Sequence, residues 1–191
     1  MSDDIDGDEY HWHLLSPPVW VLRGDDLLDA AQLLESETRR VLKNWDWEAS
    51  DELESLTNGV VGVYFMLIGF ALENLLKAKL IRLNRDVAST QFVATRKLPA
   101  FLKSHDLRAL AADAGFRPTQ SDEVVLTLLT RAVVWDGRYP IPARVSDMHR
   151  IVKSREGQKR RMSFQELDVD DVLGLVAKIR EKLNLRSPRD S

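Results

Sequence analysis

The side chains best able to handle a phosphate are gathered in one stretch of the chain. Residues 138–161 hold Arg138, Arg144, Arg150, Lys153, Arg155, Lys159, Arg160 and Arg161 against only Asp147 and Glu156, whereas the chain's 27 basic and 30 acidic residues give −3 overall. Such a segment is a candidate anion-binding surface, and the plainer reading is a solvated loop whose charge keeps the protein soluble. His149 lies inside it. An imidazole titrates near neutral pH, so His149 could take or give a proton in general acid–base chemistry. Arg144, with Arg138 nearby, offers a planar fork suited to phosphate oxygens, and Arg150 and Lys153 extend the same cationic run. Tyr139 could stack a base, or pack the corner with its hydroxyl on a backbone group.

A rival pair is His105 with Asp106. Its structural reading is a helix cap, in which Asp106 accepts from backbone N–H groups and His105 satisfies a carbonyl. Glu73 and Lys77 stand i and i+4 on a helix, Glu on the N-terminal side, which is the better orientation for an ion pair. They are supporting residues for a site or, more plainly, a stabilising pair at the edge of the core. His11 and His13 flank Trp12 without further ligands at metal-binding spacing, so no metal is expected. No G-x-G-x-x-G, P-loop, H-E-x-x-H or EF-hand pattern occurs, and the chain has no cysteine. No cofactor is implied.

These residues must be positioned by helices. Gly59 to Leu72, GVVGVYFMLIGFAL, has no polar interruption and continues as ENLLKAKLIRL. A helix apolar all round has no face for water and must be central. Its apolar run falls short of the roughly 20 residues that span a bilayer, which predicts a buried helix over about 52–83 and no membrane anchor. Gly59, Gly62, Met66, Gly69 and Glu73 recur at helical spacing, and the glycines there invite a close neighbour. With 44% apolar and 30% charged residues, the composition is that of an ordinary globular domain.

The fold expected is all-α, an irregular bundle of four to six helices around the long central one. An acidic flexible tail should occupy residues 1–17, one helical domain 18–186, and a short flexible tail 187–191. Leu27, Leu28, Ala31, Leu34, Val41 and Leu42 predict a first helix over Asp25 to Trp45. Residues 84–99 lack periodicity and read as a loop. A short helix follows around Leu107 to Ala111, closed by Gly115 and Pro118. Thr119 opens another, with Val124, Val125, Leu128, Leu129, Ala132 and Trp135 inward. Asp136-Gly137 and the prolines Pro140 and Pro142 form a fixed corner. Residues 143–154 then suggest a helix of two or three turns, 155–162 a basic loop, and 168–185 the last helix. The acidic N-terminus does not look like a secretion signal, so the cytoplasm is expected.

GFALENLLKAKLI at Gly69 to Ile81, HDL at His105 to Leu107 and WDGRYPIP at Trp135 to Pro142 resemble the prokaryotic HEPN-like helical proteins, over roughly residues 25 to 185. The resemblance implies a bundle of four or five helices that pairs into a homodimer, often in toxin–antitoxin or antiphage settings with a partner protein such as an antitoxin. It also implies that active members are metal-independent ribonucleases marked by Arg, four to six residues, then His. Arg144 and His149 fit that spacing as RVSDMH, although the position after the arginine, usually polar in active members, is Val145. On a regular helix five residues turn about 500°, which leaves the two side chains about 140° apart, so Arg144 would have to sit at the helix entry. Two readings follow: an RNA-binding or RNA-cleaving protein, or a silent helical module that binds a partner protein or a small anionic or nucleotide ligand.

Overall fold

A computed structural model describes residues 2–44, 59–136, 151–153, 159–161 and 167–190. The chain is an all-α bundle, with α1 (Ser2–Leu15), α2 (Pro17–Lys43), α3 (Gly59–Leu83), α4 (Arg85–Thr95), α5 (Leu107–Asp113), α6 (Gln120–Arg131) and α7 (Val169–Leu183). Its centre is α3. Tyr64, Phe65, Ile68, Leu72, Leu75, Leu76 and Ile81 on this helix are fully buried. Each contributes on the order of 1.5–3 kcal/mol relative to exposure. By length and composition α3 could cross a membrane, but over half of its apolar window is covered by the protein itself, as a core helix requires.

The most extensive packing is between α2 and α3. It is tight at Gly24, where an added Cβ would sit 3.1 Å from Leu75 Cγ and 3.3 Å from the Ala71 carbonyl oxygen. On another side of α3, a Cβ at Gly69 would lie 2.6 Å from Val133 Cγ2 and 3.1 Å from the Leu129 carbonyl oxygen. Val133 belongs to a π-helical turn, Ala132–Asp136, that continues α6. The glycine stripe therefore does bring a second helix close, at Gly69; around Gly59 nothing lies within 4 Å.

The starts of α5, α6 and α7 are capped as their sequences require. Thr119 and Asp122 form a reciprocal capping box on α6, and Asp168 caps α7 through the Asp170 N–H. Gly115, at φ +84°, closes α5. Ion pairs then fasten α7 to its neighbours: Arg39 on α2 to Asp170 at 2.6 Å, Lys178 to Asp122 on α6, and Arg180 to Asp25 on α2.

Several expectations need correction. The acidic tail is helical over Ser2–Leu15, because its acids sit toward the favourable N-terminal end of a helix dipole and its other end is anchored. Leu14 and Leu15 are buried, Tyr10 and His11 stack on Phe92 at centroid distances of 5.2 and 5.0 Å, and Trp20 donates to the Leu14 carbonyl. The loop expected over 84–99 contains α4, whose buried stripe is only Ala88 and Phe92, one turn apart, too narrow to stand out as a period. The end of the helix expected over 143–154 is a strand, Ile151–Lys153, paired antiparallel with Lys159–Arg161 from the expected basic loop. Adjacent β-branched Ile151 and Val152 favour that extended form. The C-terminal tail is also pinned: Ser187 Oγ donates to Asp25 at 2.6 Å, and Arg189, in a 3-10 turn over Pro188–Asp190, pairs with Asp26 and Asp29. The first helix begins earlier than expected, at Pro17, since proline suits the first turn.

Candidate functional site

Glu73 projects from α3 at the C-terminal end of the glycine stripe, with Lys77 one turn further on. Both are enclosed: their side chains are 8% and 6% exposed. Lys77 Nζ donates to Glu73 Oε1 at 2.6 Å. The second oxygen, Oε2, lies 2.9 Å from His105 Nδ1, and the His105 side chain is 54% exposed. A buried carboxylate thus bridges a buried ammonium and a surface imidazole. An ionised carboxylate only accepts, so this contact favours the proton on Nδ1 and leaves Nε2 outside the Glu73 contact. An isolated buried charge would cost several kcal/mol, and the two cationic or donor groups on Glu73 offset that cost.

His105 is held from both sides along the chain. Before it, a 3-10 turn over Ala100–Leu102 ends with Lys103 N donating to the Ala100 carbonyl. Ser104 Oγ accepts from Asp106 N at 3.1 Å. After it, Asp106 caps α5 by accepting from Arg108 N and Ala109 N at 3.0 and 3.2 Å. Leu107 N donates to Thr130 Oγ1 on α6, and that hydroxyl donates in turn to the Leu126 carbonyl. The loop is therefore tied to its own helix and to α6, which fixes the backbone on the C-terminal side of His105.

The structure separates the rival pair into two roles. Asp106 is a helix cap that accepts from Arg108 N and Ala109 N, as its structural reading held. His105 joins Glu73 and Lys77, with Glu73 32 residues earlier in the chain, a grouping that no local spacing displays. Arg138, Tyr139, Arg144, His149 and Arg150 lie outside the described residues. Lys153 lies on the strand Ile151–Lys153. His11 bonds through Nε2 to Ser89 Oγ at 3.1 Å, and His13 lies 3.6 Å from Glu9. Among the described residues no group of three His, Cys, Asp or Glu side chains could hold a metal ion.

The two strands add an electrostatic feature. Their register sets Lys153 opposite Lys159, Val152 opposite Arg160 and Ile151 opposite Arg161. Like charges directly opposite one another destabilise a two-stranded ribbon, which is marginal in water by itself. The strand Ile151–Lys153 lies against α6, the helix that also anchors the His105 loop.

No family model, no curated protein and no solved structure matches this chain.

Proposed function

We propose that the protein binds RNA through its basic segment and cleaves it without a metal. The observation that carries this reading is the cross-strand register that sets Lys153 against Lys159, flanked by Arg160 and Arg161. A ribbon of like charges is stabilised by a polyanion laid along it, since phosphates remove the repulsion and release their own counterions. The sequence resemblance supports RNA as that polyanion, with Arg138, Tyr139, Arg144, His149 and Arg150 in the same basic segment. A cytoplasmic homodimer, working with a partner protein in a toxin–antitoxin or antiphage setting, belongs to the same proposal.

The test is binding of a fluorescent single-stranded RNA to the full chain at low salt, with and without EDTA. Saturable binding unaffected by EDTA is the expected outcome. Absence of binding at low salt rejects the reading in favour of a silent helical module that binds a partner protein or a small anionic ligand.

A further inference from the structure

We propose that His105, oriented by Glu73, is the general base that starts RNA cleavage, with Glu73 as its positioning residue. The substrate class rests on the RNA reading above; the assignment of the group rests on geometry alone. Three observations converge. Glu73 Oε2 lies 2.9 Å from Nδ1, a contact that favours the neutral tautomer with its lone pair on Nε2. The imidazole is half exposed, and Nε2 has no hydrogen-bond partner among the described residues. The loop that carries it is fastened on both sides, through Ser104 and Asp106 and through Thr130. A carboxylate behind an imidazole that faces solvent through its other nitrogen is the arrangement by which acid–base enzymes hold a histidine in its working tautomer and orientation.

Lys77 completes the device. Its ammonium donates to Glu73 Oε1, so the buried carboxylate is charge-compensated while its other oxygen meets the imidazole. A structural ion pair alone needs only Glu73 and Lys77, both enclosed. The third member, aimed outward from a rigid loop, is what such a pair does not require.

The reaction balances without a metal or an oxidant. Nε2 takes the proton of a ribose 2′-hydroxyl as the 2′-oxygen bonds to phosphorus. The bond from phosphorus to the 5′-oxygen breaks, and the departing oxygen takes a proton from water. The imidazolium then returns its proton to solvent. The products are a 2′,3′-cyclic phosphate and a 5′-hydroxyl end.

The experiment uses the full chain in EDTA, with binding and cleavage of one RNA oligonucleotide measured separately. His105→Gln should bind as wild type but cleave about 10²-fold or more slowly. A single 2′-deoxy substitution at the cleaved position should abolish the cut. Because Glu73→Gln leaves a buried ammonium unpaired, the positioning role is tested with the double variant Glu73→Gln, Lys77→Met. Nitrogen-15 NMR of His105 should show Nδ1 protonated and Nε2 bare in the wild type, and a mixture of tautomers in the double variant, with kcat reduced and KM little changed. Wild-type cleavage by His105→Gln, or binding without cleavage by the wild type, overturns the inference and leaves RNA binding standing. Loss of cleavage only in His149→Ala also overturns it. Failure of the wild type to bind RNA instead defeats the functional reading beneath it.

Discussion

At the scale of single residues, the cost of burying Glu73 and Lys77 makes them mutually dependent. Removing one leaves the other charged in the core. Glu73→Ala should therefore destabilise the protein by about 3–5 kcal/mol, read by denaturant unfolding. An unchanged midpoint would mean that Lys77 reaches water. Tyr64 behaves differently. Its hydroxyl is buried and has no partner among the described residues. Burial and the Glu35 carboxylate push its phenol up to about 12, against the opposing pull of Arg39. The folded form thus holds the proton where the unfolded chain has lost it. Stability from this group is complete below about pH 10 and declines as pH rises toward the folded value. Tyr64→Phe should keep the neutral-pH stability, since no protein hydrogen bond is removed, and should flatten the alkaline limb of the stability profile. A steep alkaline limb persisting in the variant would show that another group controls it.

At the scale of elements, close approach and capping decide what the bundle tolerates. A methyl group at Gly69 would overlap Val133, in the turn that continues α6. Gly69→Ala should cost about 1–3 kcal/mol despite the better helix propensity of alanine. A stabilised Gly69→Ala protein would show that α6 can retreat. On α6 itself, burial pushes the Asp122 carboxyl up, but Lys178 and the Thr119 N–H and hydroxyl outweigh it and hold it below its ordinary value of 3.8. A lowered folded pKa means stability present above the ordinary value and lost as pH falls through the lower one. Asp122→Asn should therefore make unfolding less steep in pH below about 4, as followed by circular dichroism. An unaltered acid slope would place the sensitive carboxylate elsewhere.

The same elements show how far the sequence could be read. The α3 core helix, the α6 and α7 faces and the Thr119 start were legible because wide apolar stripes and capping residues are local signals. Of the predicted α6 face, Val124, Val125, Leu128, Leu129 and Ala132 are buried. α1 and α4 were not legible, since each depends on a few side chains of the other, chiefly Tyr10 and His11 on Phe92. The candidate site was legible only in pieces. Glu73 and Lys77 share a turn, so their pairing follows from helical spacing, whereas His105 reaches Glu73 through the packing of α5 against α3 and α6. Nothing in a 32-residue separation encodes that hydrogen bond. The motif residues Arg144 and His149 lie outside the described residues.

At the scale of the whole molecule, the net charge of −3 conceals an uneven distribution. Along the sequence the acids gather in the first nine residues and the bases in residues 138–161. The α7 clamps to α2 and α6 and the C-terminal Arg189 pairs hold the bundle independently of that basic region. Charge can then be removed from the strands without dismantling the core.

The direct measurement is the affinity for single-stranded RNA across a salt series, in the wild type and in a Lys153→Ser, Lys159→Ser, Arg161→Ser variant. The logarithm of the association constant should fall linearly with the logarithm of salt concentration, and the variant's slope should be shallower by about 0.7 for each phosphate it no longer neutralises. An affinity independent of salt, or the same slope in both proteins, would contradict RNA binding through the basic strands.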